Sequence, residues 1–140
     1  MKYILDASVY LSVISPSEVH HKRAKELWNK CDSTDPFQVP ELFILEVVSG
    51  LVRKNSPTAF ISEHETFISS GPKFYRHPLD LEAIHLASSI IKTARVRSAD
   101  AIYLSLTHKL QGTLLTLDNE ILEAPKKMKK KFSFAGKVIH

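Results

Sequence analysis

A chain of 140 residues, 44% of them hydrophobic, is long enough to bury a core without staples, and its one cysteine, Cys31, excludes an internal disulfide, a paired-cysteine metal knuckle and a Cys-x-x-Cys redox site. The apolar N-terminal stretch is broken almost at once by Asp6, which suits neither a signal peptide nor a spanning helix, so a soluble cytoplasmic protein without a membrane partner is expected. The net charge of +4 is concentrated at one end: six of the nineteen Lys and Arg residues follow Pro125 and no acid does, which leaves the rest of the chain near −2 and a basic segment from about residue 126 that either touches phosphates or is simply solvated.

In chain order, residues 2–5 (KYIL) form a short strand that ends in Asp6, and a helix follows from Ala7 to the Ser15-Pro16 pair. Ser17 is available as the cap of a second helix reaching about Lys30, with Val19, Ala24, Leu27 and Trp28 at helical spacing. FQVP at 37–40 is a strand, and the clearest helix runs from 40 to 54, with Pro40 suited to its first turn. An amphipathic helix from near Pro57 stops before Ser70-Gly71-Pro72, and KFYRH at 73–77 is a third strand. Residues 79–94 carry apolar side chains over most of a helix surface, which predicts a largely buried helix. Ser98 opens another helix, with Ile102, Tyr103, Leu106 and Leu110 on its apolar side. Gly112 introduces the strand TLLTL, which ends in Asp118, and a short helical turn at 119–122 and a last strand near 132–139 close the chain.

Short strands alternating with helices predict a single α/β domain over residues 1–140: a three-layer sandwich with a short central parallel sheet and helices on both faces. Ligand sites in such folds lie beyond the carboxyl ends of the strands. MKYILD and TLLTLD each deliver an aspartate to that edge, and two carboxylates brought together there need a cation or a proton between them. A hard divalent ion, Mg²⁺ or Mn²⁺, suits oxygen ligands and polarises a phosphoryl oxygen while activating water.

Each acid also has an ordinary structural role open to it. Asp6 and Asp118 stand where they can cap helices, and Asp100 stands in a first turn, where negative charge complements the helix dipole. Glu46 interrupts an apolar helix but shares a side with Ser49, Gly50 and Arg53, so it either faces water or, with small residues beside it, leaves room for a metal and a phosphate.

The four segments YILDASVYL, PELFILEVVSGL, RSADAIYLSL and LLTLDNEIL resemble the PIN-domain family and, in length and order, its VapC-type toxins of toxin–antitoxin pairs. The resemblance implies an endoribonuclease in which Asp6, Glu46, Asp100 and Asp118 bind one or two Mg²⁺ ions, replaceable by Mn²⁺, directly or through water. It implies Ser8 and Thr116 as orienting groups and a metal-activated water attacking in line to leave a 5′-phosphate and a 3′-hydroxyl. Arg97 is a possible RNA contact or an exposed surface arginine. A homodimer and a VapB-like antitoxin that covers the acidic groove are implied as partners. An additional acid near the fourth position, frequent in the family, is replaced here by Asn119 and then Glu120, so the number of metals stays open.

Four glycines without a Gly-x-Gly-x-x-Gly, Walker or Gly-x-Ser-x-Gly pattern exclude the dinucleotide, nucleoside-triphosphate and serine-hydrolase classes. The seven histidines lack zinc spacing and read as surface or satisfied polar groups. A housekeeping RNA-processing nuclease and a non-cleaving, metal- and nucleic-acid-binding module remain as alternatives to a toxin.

Overall fold

A computed structural model describes residues 1–31, 34–128 and 132–140. Its elements run β1 (Tyr3–Leu5), α1 (Ala7–Val13), α2 (His21–Trp28), β2 (Phe37–Pro40), α3 (Leu42–Arg53), α4 (Thr58–Ser70), β3 (Phe74–His77), α5 (Leu81–Ala94), α6 (Ser98–Leu110), β4 (Thr113–Leu115), α7 (Asn119–Met128) and β5 (Lys137–Ile139). The strands pair in parallel in the order β3-β2-β1-β4-β5. Ile4, Leu5, Phe37, Val39, Leu114 and Leu115 are fully buried, as a parallel sheet covered on both faces requires.

The chain steps from β1 to β2 to β3 on one side, then crosses back over the sheet to β4 and β5. That reversal makes the boundary between β1 and β4 the switch point of the sheet, where a crevice opens beyond the carboxyl ends. α1 packs on α2 and α3, and α3 on α4, while α5 packs on α6 and α7. Right-handed crossovers then put α1–α4 on one face and α5–α7 on the other. Under the first layer, Tyr10 meets Phe43 and Phe74 edge-on at ring separations of 5.6 and 5.7 Å, and its hydroxyl hydrogen-bonds His64 Nδ1 at 2.6 Å.

Several predicted boundaries shift, each for an identifiable reason. Ser17 caps nothing: residues 15–21 form successive turns, exposed Val19 has no core to enter, and α2 starts at His21. Pro40 ends β2 rather than opening α3, because its fixed φ suits extended backbone as well as a first turn and the sheet ladder continues through Glu41 N–H to His77 O at 2.9 Å. α5 is less buried than its composition predicts, with Leu81 and Ile84 exposed and Ala87, Ile90 and Ala94 inside.

The predicted turn at 119–122 extends to Met128 through Pro125, since Ile121, Ala124 and Met128 share a buried stripe whose packing outweighs the proline. The basic C-terminal segment is therefore not an appendage. Lys126 and Lys127 lie on α7, Lys137 opens β5 beside β4, and Phe132 and Phe134 lie against His108; Lys129–Lys131 lie outside the described residues.

Gly112 is required where α6 hands the chain to β4. A Cβ built there falls 2.5 Å from Ile4 Cδ1 and 2.7 Å from the Lys2 carbonyl oxygen. Gly112→Ala is expected to cost about 1–3 kcal/mol, read from urea denaturation, because the clash is partly with backbone that pairs β1 to β4.

Candidate active site

Asp6 leaves β1 at the switch point, 6% exposed, and its N–H continues the ladder to Leu115 O at 3.0 Å. It stands at the cap position of α1, yet its carboxylate makes no capping bond. Instead Asp6 Oδ2 accepts from Ser8 Oγ at 2.6 Å and from Thr116 Oγ1 at 2.8 Å. Ser8 and Thr116 in turn accept from Leu117 N–H at 3.2 Å and Asp118 N–H at 3.0 Å. One hydroxyl pair thus ties the first aspartate to the backbone that carries the fourth.

Asp118, three residues beyond β4, divides its oxygens. Oδ1 accepts from Glu120 N–H at 2.9 Å and so caps α7, whereas Oδ2 accepts from Arg97 Nη2 at 3.1 Å. The capping role read from sequence is therefore present at Asp118 and leaves one oxygen for other work. Asp100 sits in the first turn of α6, 5% exposed, and its Oδ2 accepts from Arg97 Nε at 3.2 Å.

Glu46 projects from α3 toward this cluster rather than into water. Gly50, one turn on, does not widen the site: it is buried against α1, where a Cβ would lie 2.5 Å from Leu11 Cδ1, and Ser49 is exposed. Glu46 Oε1 is buried, and the equally buried hydroxyl of Tyr103 faces it from α6; the two make no well-formed hydrogen bond, yet the hydroxyl is near enough to favour the Glu46 carboxylate. Sequence reasoning counted Tyr103 only among the apolar positions of α6. The available signal was its spacing of three from Asp100, which puts both on one helix face.

Electrostatics identify these acids as one group. Burial pushes the Asp6 carboxyl up, Ser8 and Thr116 oppose the shift, and the charges of Asp100 and Asp118 add to it. Burial likewise raises Glu46, opposed by the Tyr103 hydroxyl and then reinforced by Asp6 and Asp100, and raises Asp100, which feels Arg97, Asp118 and Glu120. Among the described residues no three His, Cys, Asp or Glu side chains converge tightly enough to hold a metal as they stand. The donors nevertheless fit a hard divalent ion, which takes a few carboxylate oxygens and keeps several waters, and the buried Glu46 oxygen, faced by the Tyr103 hydroxyl but by no cation in contact among the described residues, leaves charge for one to balance.

Beside Asp118 opens a shallow cleft of about 490 Å³, walled by Ser8, Ser12, His20, Arg97 and Asn119 among others. A more enclosed cavity of about 110 Å³, under the β3–α5 connection at Pro40, His77 and Leu106, holds none of the four acids. His64 and His77 are both engaged, with Tyr10 and with Gln38 Oε1, the latter at 2.7 Å.

The PIN domain family model matches residues 3–127, nearly the whole chain. The chain belongs to the PIN-domain family. Comparison with curated protein sequences yields no match. Among solved structures, this PIN domain resembles VapC20 of Mycobacterium tuberculosis, described as a sarcin–ricin loop cleaving toxin, at 14% identity and TM-score 0.73, over 86% of this chain and 92% of that one. It resembles FitAcB from Neisseria gonorrhoeae at 16% identity and TM-score 0.73, over 99% and 96% of the two chains. The third likeness is to VapBC2 from Rickettsia felis, bound to a DNA fragment from their promoter, at 13% identity and TM-score 0.65, over 99% and 98%. At such identities the likeness is one of fold, and it agrees with the parallel sheet and flanking helices of this PIN domain.

Proposed function

We propose that this PIN domain is a divalent-metal-dependent endoribonuclease and the toxin of a toxin–antitoxin pair. The observation that carries the reading is Asp6: a buried carboxylate at the switch point of the sheet that caps no helix, is gripped by two hydroxyls and feels the charges of Asp100 and Asp118. Such an arrangement is costly for folding alone and useful for holding a cation.

Asp6, Asp100 and Asp118 would hold Mg²⁺, or Mn²⁺ in its place, with Glu46 reaching it directly or through water. When bound, the ion supplies a Lewis acid for a phosphoryl oxygen and lowers the pKa of the water that attacks the phosphodiester in line. The remaining work belongs to the chain. Ser8 and Thr116 fix the Asp6 carboxylate, so that its orientation does not have to be found during the reaction. Desolvated Glu46 holds a proton more firmly than a surface glutamate, which fits its carboxylate to take up a proton as water attacks. Arg97 at the rim of the cleft is the RNA phosphate contact, and the products carry a 5′-phosphate and a 3′-hydroxyl.

Thr116→Val removes both the bond to Asp6 and the acceptor for Asp118 N–H while keeping the shape. It is expected to lower cleavage by about 10- to 100-fold with little change in RNA binding, measured as kcat against KM.

Fold likeness to toxins and toxin–antitoxin complexes supports a VapB-like antitoxin as partner. Exposed Leu81 and Ile84 on α5 give a homodimer an apolar surface to use, which light scattering would test. The proposal takes in residues 1–140 as one catalytic domain and the cytoplasm as its place of action. Among the described residues no helix is long and apolar enough to cross a membrane.

The test is incubation of purified protein with a panel of structured RNAs in Mg²⁺, in Mn²⁺ and in EDTA. Cleavage in both metals, lost in EDTA and leaving 5′-phosphate ends, is expected. A folded, metal-loaded protein that binds the RNAs and cuts none contradicts the reading in favour of a binding module.

A further inference from the structure

Arg97 immediately precedes α6, in extended backbone, and its side chain is 71% exposed. It nonetheless spans two acids from different elements, Nε on Asp100 Oδ2 and Nη2 on Asp118 Oδ2, with Glu120 Oε2 flanking at 4.0 Å. The oxygens it takes matter more than the number of pairs. Asp118 Oδ1 is already committed to Glu120 N–H, so Oδ2 is the oxygen that residue has to offer, and the guanidinium occupies it. Among the described residues Arg97 is the one Lys or Arg ion-paired with any member of the acidic group. Its fork bridges carboxylates that a second cation would have to share.

We propose that Arg97 is an intramolecular counter-ion that competes with a divalent cation for Asp100 and Asp118, so that loading the site requires the guanidinium to let go. The inference rests on the metal-dependent reading above and goes beyond it. Arg97 cannot at once bridge these carboxylates and contact a phosphate, so the pairing has to open before the arginine serves a substrate. Because the side chain is exposed, its pairs are screened and readily broken. The competition therefore weakens cation binding without preventing it, and Arg97 sets the concentration at which the site loads.

The experiment is titration of Mn²⁺ into full-length protein stripped with EDTA, followed by the electron paramagnetic resonance of free Mn²⁺, for wild type, R97Q, R97K and D6N, with far-ultraviolet circular dichroism of each. R97Q is expected to bind Mn²⁺ about three- to ten-fold more tightly than wild type. R97K keeps the charge but lacks the planar fork, and is expected to lie nearer R97Q than wild type. D6N is expected to bind more weakly than wild type. Equal or weaker binding by R97Q overturns the inference while leaving the metal reading intact. R97Q tighter but R97K equal to wild type also overturns it, because distant charge rather than occupied carboxylate oxygens then explains the gain. Absence of binding by both wild type and R97Q overturns the metal reading itself, and the competition with it.

Discussion

Asp6→Asn is expected to lose RNA cleavage by at least about a hundred-fold while folding as the wild type does. Cation-assisted stabilisation of a phosphoryl transfer is worth several kcal/mol, and each 1.4 kcal/mol is about tenfold in rate, so removing the central negative ligand costs two decades or more. The fold has little reason to object. The Asn carbonyl oxygen still accepts from Ser8 and Thr116, and the substitution removes a desolvated charge that Asp100 and Asp118 repel. Asp100→Asn is expected to behave the same way, with Arg97 left to Asp118 alone. Rates on one RNA, with thermal melts alongside, check both. A fully active Asp6→Asn or Asp100→Asn protein removes that residue from the catalytic set.

Glu46→Gln is expected to raise stability in EDTA at neutral pH and to abolish most of the stabilisation that Mn²⁺ confers. Burial and the neighbouring Asp6 and Asp100 disfavour the Glu46 charge, and a neutral amide removes that charge while still able to hydrogen-bond the Tyr103 hydroxyl; the relief is worth about 1 kcal/mol.

The pH dependence follows from the same cause. Asp6, Glu46 and Asp100 all hold their protons more tightly folded than unfolded, chiefly through burial. From the ordinary values of 3.8 for Asp and 4.5 for Glu upward, the folded state therefore binds more protons than the unfolded chain. These three acids should accordingly contribute a loss of stability in EDTA as pH rises through that window, against an opposite contribution from His64 and His77, whose pKa values burial lowers. Saturating Mn²⁺ should flatten the decline, and Glu46→Gln should reduce its slope without metal. Denaturation series in EDTA in which Glu46→Gln loses stability with pH more steeply than wild type, or rises less steeply, would mean that Glu46 is stabilised as an anion in the folded protein.

Much of this architecture can be read from particular residues. MKYILD and TLLTLD are legible because a buried parallel strand is a short apolar run, and the aspartate that ends each run marks the sheet edge. Their adjacency in space was only conditional in the sequence, since strand order depends on which crossovers the helices make. Ser8 and Thr116 entered through family resemblance, and the reason for them is tertiary: Thr116 meets Asp6 across 110 positions.

Tyr103 looked apolar because a buried tyrosine fits a core pattern as well as a site. Gly50 looked like room for a ligand because a helix wheel gives direction without the neighbour, here Leu11, that fills it. Local signals misplaced Ser17, Pro40 and Pro125 for a common reason, that each residue type has two roles and packing chooses. The basic stretch after Pro125 looked like a tail because charge dominates its composition, although buried Met128 and strand β5 tie it to the fold. Deleting it would therefore test folding rather than RNA contact, and charge reversal at Lys126 and Lys127 is the cleaner probe of any role in binding phosphates.

If Asp6, Glu46, Asp100 and Asp118 form one metal centre, anomalous diffraction from crystals grown or soaked with Mn²⁺ shows it most directly. An anomalous peak in contact with Asp6 and at least one of Asp100 and Asp118, absent in Asp6→Asn crystals, is the predicted result. Under saturating Mn²⁺, a site free of any peak, or a peak held by other residues, would contradict it.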